Sequence, residues 1–171
     1  WWELAGASHV SLGEMRGYID PLVLRDGLQQ IDGQAVSLTE VLDAAHAGRK
    51  GGLWSRVPNA DLVKAALHAL ERWIVGGSAP ARAPRLLFEE PRRLRRDALG
   101  RTMGGIRYAA LEVPSADNHG IGPAGIALAG GHRDFGPDEM TRHYGSPAAY
   151  LAQVEAAVCA NLAQGFLLPP E

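Results

Sequence analysis

The sequence opens with Trp-Trp-Glu-Leu-Ala-Gly-Ala-Ser-His over residues 1–9, an apolar run that breaks at a glycine and then delivers a histidine. Residues 1–5 are typical of a buried strand, because strands covered on both faces read as continuous apolar runs. Gly6 allows a tight turn, and the two small residues after it let His9 project from the strand end. Ligands bind at the carboxyl edge of an open α/β sheet, so we expect His9 to be a catalytic base. The alternative is an ordinary loop histidine whose ring is satisfied by local hydrogen bonds.

Composition and charge limit the classes of protein to which this chain can belong. Its 171 residues are enough for one domain with a real core, and 46% hydrophobic with 21% charged residues is ordinary for a globular chain. A net charge of −2 gives no overall field that favours nucleic acid or an anionic membrane. No stretch reaches the roughly 18 apolar residues of a membrane span. We therefore expect a single unit over residues 1–171, with no nucleic-acid partner and no membrane span.

Cysteine and histidine usage argues against disulfide and metal chemistry. Cys159 is the single cysteine, so the chain has no intrachain disulfide and no cysteine-based metal cluster. Its apolar helical surroundings predict a buried, inert thiol. The six histidines show no metal-binding spacing. His132 and His143 flank an acidic turn over residues 134–139 that we interpret as a solvated loop. We expect neither a metal nor a cofactor.

Three segments carry helical patterns. The first begins at about residue 38, with Ser37 or Thr39 as its N-cap. The strongest covers residues 59–75, where apolar residues recur at helical spacing, and we interpret this helix as core. A closing helix is predicted over residues 147–163, followed by an apolar tail that docks its end.

The remaining stretches are predicted to be loops, turns and short strands. Residues 10–20 indicate a loop, and residues 29–33, which end in Asp-Gly, indicate a turn. A short strand is predicted at residues 85–88. Residues 97–107 indicate a glycine-rich loop that leads into a strand ending at residue 113. A second, longer glycine-rich loop follows that strand.

Three short motifs match known signatures but lack the context that the chemistry needs. Residues 120–125 spell G-x-G-x-x-G, yet no strand precedes them and Pro123 stands where helical amides would have to face a phosphate. Residues 132–136 overlay two kinase signatures that must lie in separate loops. The basic cluster over residues 92–96 has acidic neighbours and no interleaved aromatic residue for base stacking, which favours a solvated surface.

Three further segments follow one another in a telling order. They are residues 2–9, residues 66–80, and residues 97–107 with Leu-Glu-Val-Pro at 111–114. In order and spacing they resemble the C-terminal portion of a family of large α/β-hydrolase domain proteins, taken to be esterases. Residues 10–57 match only loosely. The resemblance implies an α/β fold: the last strand of a hydrolase sheet, the following helix, a loop-rich extension with short strands, and a closing helix.

The resemblance also implies a serine hydrolase in which His9 completes a Ser-His-Asp/Glu triad. A serine hydroxyl is a weak nucleophile, so an imidazole must take its proton and return it to the leaving group. In this fold the nucleophile and the acid precede the histidine in the chain. Residues 1–171 contain no G-x-S-x-G elbow, and Ser8 lacks the strand-to-helix turn that exposes a nucleophile. The chain starts in what reads as mid-strand without an initiator methionine. We therefore expect a C-terminal fragment whose missing N-terminal part carries the nucleophile, and a small ester as substrate.

Two other functions stay open on this reasoning. One is a noncatalytic structural or interaction domain in which His9 is incidental. Such a domain should bury its own apolar surface, whereas a hydrolase fragment should leave a large apolar patch exposed. The residues that distinguish the two are Trp1, Trp2, Leu62 and Trp73. The other function is that of an inactive hydrolase homologue used for binding.

Overall fold

A computed structural model describes residues 1–48, 51–90, 92–123 and 126–170. The fold is mixed α/β, with helices that range from single turns to long segments and strands of two to four residues. The helices are α1 (Leu12–Glu14), α2 (Asp20–Asp26), α3 (Leu38–Ala45), α4 (Asn59–Gly76), α5 (Ala109–Glu112), α6 (Pro137–Tyr144) and α7 (Pro147–Ala163), with a π-helical turn at Met15–Ile19 and a 3-10 turn at Ala127–Ala129. The strands are β1 (Gln30–Ile31), β2 (Gln34–Ala35), β3 (Gly52–Leu53), β4 (Phe88–Glu90), β5 (Arg93–Leu94), β6 (Ala116–His119) and β7 (Gly131–Asp134).

The strands pair in small sheets. β1 pairs with β2, β4 pairs with β5, and β3, β7 and β6 form a sheet in that order. β3 runs antiparallel to β7, with Gly52 opposite His132. The predicted buried strand over residues 1–5 is wrong, because Leu4 alone is paired, in an isolated parallel bridge to Ile106. A strand needs a neighbour along its whole length, and an apolar run cannot supply one.

Contacts divide the chain into two compact units, and each is described by itself. Unit 1 comprises Trp1–Gly6, Asn59–Asp117 and Asp134–Glu171, and unit 2 comprises Ala7–Pro58 and Asn118–Arg133. Each unit has its own buried apolar cluster. The expectation of a single unit over residues 1–171 stays a prediction.

The core of unit 1 forms around three almost fully buried side chains, those of Ile106, Tyr108 and Phe166. The Tyr108 hydroxyl donates to the carbonyl of Phe166, and burial raises the pKa of that hydroxyl. Trp2 packs edge-on against Phe166, with ring centroids 5.0 Å apart. The predicted docking of the apolar tail is therefore confirmed.

The core of unit 2 forms around Met15, Leu53, Trp54 and Ala129. Met15 belongs to a helical segment over residues 12–26, where a loop was predicted for residues 10–20. Ser11 starts this segment with a capping box, in which its hydroxyl accepts from the Glu14 N–H and the Glu14 carboxylate accepts from the Ser11 N–H. The S-x-x-E spacing signals a helix start, but the mixed character of residues 10–20 led to the prediction of a loop.

Helix α4 forms as predicted, but it is not a core helix. Ala65 is buried and Leu62 is half-buried against the unit 1 core, whereas a second apolar row faces solvent. This row, the α4 stripe, consists of Val63 (57% exposed), Leu67 (61%), Leu70 (46%) and Ile74 (76%). The interpretation as core was wrong because periodicity reveals an apolar face but not whether anything covers it.

Three more predictions are wrong: a strand, a glycine-rich loop and an acidic turn. Residues 109–112 are helix α5 rather than strand, because Ala-Ala-Leu-Glu are strong helix formers and no strand pairs with them. The second glycine-rich loop contains β6 and β7. The acidic turn near His143 is mostly α6, whose first turn carries Asp138 and Glu139 where the helix dipole favours them. Residues 124–125 of the G-x-G-x-x-G motif lie outside the described residues.

Predictions that depend on local signals are confirmed. Helix α7 has the predicted bounds, and Ser37 caps α3 in a reciprocal box with Glu40. The Asp32–Gly33 turn joins β1 to β2 with positive φ at both residues, 50° and 79°, as a type I′ hairpin requires. Cys159, however, is exposed, so the predicted burial of its thiol is wrong. Across the described ranges, no helix combines the length and apolarity that crossing a bilayer demands.

Candidate functional site

The backbone that leads into the His9 loop is held within unit 1. The Ala5 N–H donates to the Ile106 carbonyl at 2.9 Å, and the Ile106 N–H donates to the Glu3 carbonyl at 2.7 Å. The Glu3 carboxylate accepts from the Leu86 N–H at 2.8 Å and from the Arg85 guanidinium at 3.0 Å. Both contacts lower the pKa of the Glu3 carboxyl, and the hydrogen bond from Leu86 has the larger effect. Gly6 then turns the chain with φ of 71°.

The backbone that leaves the His9 loop is held within unit 2. The Val10 N–H donates to the Leu128 carbonyl at 3.1 Å, and the Leu12 N–H donates to the Ser55 carbonyl at 2.9 Å. The capping box at Ser11 fixes the start of the next helical segment. The loop is therefore anchored by main-chain hydrogen bonds immediately after the histidine.

Ser8 braces this loop from inside. Its side chain is buried, and its hydroxyl donates to the Val10 carbonyl at 2.8 Å. A Cβ built at Gly130 would lie 2.8 Å from the Ser8 Cβ, so the loop packs directly on glycine backbone. A buried hydroxyl that donates to a local carbonyl is a structural brace, which agrees with the absence of a nucleophile elbow around it.

His9 itself is exposed. Within the described residues its imidazole makes no hydrogen bond, unlike His46 and His132, whose Nδ1 atoms meet backbone carbonyls. An exposed ring on an anchored backbone is accessible to a reacting group and to a carboxylate that would orient it. The geometry alone does not supply either partner.

The family of the chain follows from comparison with known proteins. A family model described as an alpha/beta hydrolase domain matches residues 1–171. The chain belongs to the alpha/beta hydrolase domain family. No curated protein and no solved structure matches it. The family and the α/β fold class predicted from the resemblance are both confirmed.

The glycine-rich segment that helped to suggest an alpha/beta hydrolase has a structural role. Asp97 accepts from the Arg101 backbone N–H at 2.9 Å, from the Arg101 guanidinium at 2.7 Å, and from the Leu99 N–H at 3.0 Å. Burial by itself raises the pKa of Asp97, but these donors outweigh it and lower the value overall. Arg107 pairs with Glu112 and donates to the Thr102 carbonyl. Arg101 also donates to the Leu111 and Glu112 carbonyls, so the two arginines tie the loop over residues 97–107 to α5.

Sequence reasoning missed a second group of polar residues in this alpha/beta hydrolase domain. His132, interpreted as part of a solvated loop, lies on β7, where its Nδ1 is 2.9 Å from the Trp54 carbonyl. Trp54 is buried with φ of 77°, a left-handed conformation that costs a non-glycine residue about 1–3 kcal/mol. No sequence signal marked this residue, because positive φ at tryptophan has no motif. Strain of this kind clusters at binding and catalytic sites.

Among the residues that the structure describes, the acidic and imidazole side chains of this hydrolase domain do not converge as metal ligands. Over the described ranges, no group of three or more His, Cys, Asp or Glu is placed to hold a metal ion. His143 stacks on Phe135 with ring centroids 5.2 Å apart, and His68 is an exposed residue of α4. These two histidines are therefore surface or packing residues.

Proposed function

We propose that His9 is the general base of a serine hydrolase that acts on an ester or a similar acyl bond. The observation that carries this proposal is the exposed, unengaged imidazole on a loop whose backbone is hydrogen-bonded on both sides. The ring of His46, in contrast, is engaged locally, with its Nδ1 2.8 Å from the Leu42 carbonyl. Membership of the hydrolase family supports the same assignment, because in this fold the histidine comes last in the triad.

The chemistry assigned to His9 is proton transfer in two half-reactions. One ring nitrogen takes the proton of a serine hydroxyl while the serine oxygen bonds to the acyl carbon, giving a tetrahedral intermediate. The imidazolium returns that proton to the departing alkoxide as the ester C–O bond breaks. Water then repeats the sequence on the acyl-enzyme and releases the acid. The other ring nitrogen needs a carboxylate to orient it, and the oxyanion needs two N–H donors.

The serine, the carboxylate and the oxyanion donors are proposed to come from a part of the protein outside residues 1–171. The α4 stripe supports a partner of this kind. In α/β folds, helices cover the faces of a mostly parallel sheet, and an apolar helix face finds its place there. The strands of the described residues are at most four residues long, whereas α4 spans 18 residues. We infer that the hydrolase sheet covers the α4 stripe.

The noncatalytic alternative is less well supported by burial. A self-contained interaction domain should bury the tryptophans of the first stretch and of α4. Trp1 is 84% exposed and Trp73 is 51% exposed, while Trp2 and Leu62 are half-buried. Apolar surface left open in this way is expected of a segment that packs against more of its own protein.

Hydrolysis of a p-nitrophenyl ester by the full-length protein tests the assignment. His9→Ala should lower kcat by roughly 10⁴-fold or more, because the loss of a triad histidine removes proton transfer in both half-reactions. His68→Ala, which removes an exposed histidine of α4, is the matched control and should retain wild-type kcat. A fluorophosphonate probe should label the wild-type protein and fail to label His9→Ala. Equal ester turnover by His9→Ala and wild type would refute the role of His9.

A further inference from the structure

The side chain of Leu128 is exposed directly beside the His9 loop. Leu128 belongs to the 3-10 turn Ala127–Ala129, and both this turn and His9 are part of unit 2. The Leu128 carbonyl accepts from the Val10 N–H at 3.1 Å, so the turn contacts the residue that follows His9. Leu128 is nevertheless 61% exposed. A single exposed leucine is ordinary on a protein surface, so the informative feature is its position beside the proposed general base.

His9 and Leu128 are the outward members of two segments that are hydrogen-bonded to each other. Val10, which follows His9, packs against the unit 2 core, and Ala129, which follows Leu128, is a member of that core. Ser8, which precedes His9, is buried as well. The neighbours of both residues therefore turn inward, while the imidazole and the leucine side chain are left on the solvent side of the same pair of segments.

A third segment holds the other two in place. The buried residue Ser55 donates its N–H to the Ala129 carbonyl at 2.9 Å, and its own carbonyl accepts from the Leu12 N–H at 2.9 Å. The turn that carries Leu128 is thus joined to the His9 loop both directly and through Ser55. Side chains on a backbone fixed in this way keep a constant spacing, which a binding surface requires.

Ester hydrolysis by the proposed mechanism brings the substrate within reach of Leu128. The serine oxygen must lie about 3 Å from the His9 ring to hand over its proton. The acyl carbon must lie about 3 Å from that oxygen to be attacked. The ester therefore passes within roughly 6 Å of the imidazole. Side chains on the solvent side of the His9 loop border this path, and Leu128 is one of them.

A second apolar side chain extends this surface. The Gly122 N–H donates to the Ala127 carbonyl at 2.8 Å, which holds the neighbouring Ile121 to the same turn, and Ile121 is 79% exposed. Leucine and isoleucine offer a ligand neither a charge nor a hydrogen bond, so a polar group would lose hydration there without compensation. An apolar group gains, because each methylene that leaves water raises affinity about fourfold.

We propose that Leu128, together with Ile121, binds an apolar chain of the ester, so that the substrate is an ester with a hydrocarbon chain of several carbons. This inference rests on the proposed role of His9 and specifies the substrate class of that site. The surface consists of a short turn and one loop residue, which matches a substrate chain in size, whereas the α4 stripe runs along an 18-residue helix and suits a sheet.

Ester hydrolysis by the full-length protein tests this surface. p-Nitrophenyl acetate and hexanoate form one substrate pair, and ethyl acetate and hexyl acetate form a second, because the apolar chain can belong to the acid or to the alcohol. Wild type should prefer the longer ester in at least one pair. Leu128→Ala should lower the ratio of kcat/KM for the longer ester to that for the shorter one about tenfold in that pair, the scale of lost methylene contacts. Leu28→Ala is the matched control: it truncates a 70% exposed leucine of the same unit and should keep the wild-type ratio.

Methyl NMR of the full-length protein supplies a measurement that does not require turnover. Hexanoate or hexanol, the products of the longer esters, should shift the Leu128 methyl signals and leave those of Leu28 unchanged. The proposal is overturned if neither product shifts the Leu128 signals, or if Leu128→Ala and Leu28→Ala give the same ratio in both substrate pairs. Greater destabilisation by Leu128→Ala than by Leu28→Ala, with an unchanged ratio, would show that the protein itself covers Leu128, which also overturns it.

The His9→Ala variant separates a failure of this inference from a failure of the proposed function. If His9→Ala is inactive and Leu128→Ala leaves the ratio unchanged, only the apolar substrate surface is refuted. If His9→Ala turns over esters as wild type does, the role of His9 is refuted, and the placement of the substrate beside Leu128 is refuted with it.

Discussion

Replacing Gly130 by alanine should destabilise the protein severely, because the chain needs a glycine there for two independent reasons. Gly130 has φ of 66° and ψ of −151°, a region that is essentially restricted to glycine and costs another residue about 1–3 kcal/mol. A Cβ at this position would lie 2.3 Å from the His119 carbonyl oxygen and 2.8 Å from the Ser8 Cβ. The His119 oxygen is backbone and cannot swing aside, so relieving the overlap adds about 1–3 kcal/mol. The total, about 2–6 kcal/mol, is a large part of the stability of an ordinary domain.

Urea denaturation followed by tryptophan fluorescence measures this loss. With a slope near 2 kcal/mol per molar, the midpoint should fall by roughly 1–3 M. Gly17→Ala is the matched control: Gly17 lies in the helical segment of the same unit, and a Cβ there meets nothing within 4 Å. It should be neutral or stabilising by about 0.5–1 kcal/mol. If Gly130→Ala unfolds at the same urea concentration as Gly17→Ala, the close packing of the His9 loop on Gly130 is refuted.

Three further predictions concern the carboxyl of Asp97, the thiol of Cys159 and the two apolar rows of α4. Because folding lowers the pKa of Asp97, its carboxylate stabilises the fold above its unfolded-state pKa, and this stabilisation is lost as the pH falls through its folded-state pKa. Between about pH 5 and pH 2, Asp97→Asn should therefore lose less free energy of unfolding than wild type does. Acid titrations of stability measure this, and parallel curves for the two proteins would contradict it. Cys159 should react with Ellman's reagent in the native protein, and a thiol that reacts only after denaturation would contradict its exposure. In the 171-residue chain, Leu62→Ala should lower the free energy of unfolding by more than about 1 kcal/mol, because Leu62 packs against the unit 1 core. Leu67→Ala should lower it by about 0.5 kcal/mol or less, because Leu67 is exposed. Equal losses in urea denaturation would show that the α4 stripe is covered.

What the sequence predicts well is what local chemistry determines. The capping residue Ser37, the Asp32–Gly33 turn and the bounds of α7 each depend on residues within one or two turns of chain. The capping box at Ser11 is equally local, but it was not recognised, and residues 10–20 were predicted as a loop because of their mixed character. The helix propensity of residues 109–112 also explains why α5 is a helix, where a strand was predicted.

What the sequence predicts poorly depends on partners far away in the chain. Whether residues 1–5 form a strand depends on a neighbour, and Ile106 provides one bridge. Whether α4 is buried depends on a surface that would cover its stripe, which hydrophobic periodicity cannot reveal. For the same reason Cys159 lies in an apolar helical pattern yet is exposed.

The candidate site divides in the same way. His9 was identified from a short stretch and an order of segments, and its role in catalysis stays a prediction. The pairing of His132 with the carbonyl of a left-handed Trp54 could not be anticipated, because the two residues are brought together by the β3–β7 register. Residues that meet only through the pairing of two strands have no fixed spacing in the sequence, so no sequence motif marks them.

The division into two units has a consequence for synthesis on the ribosome. The chain passes from unit 1 to unit 2 and back twice, so neither unit is continuous in sequence. The unit 1 core joins Trp2 to Phe166, two residues that lie 164 positions apart in the sequence. That core cannot close until the tail leaves the exit tunnel, and the cost of joining such distant segments slows folding.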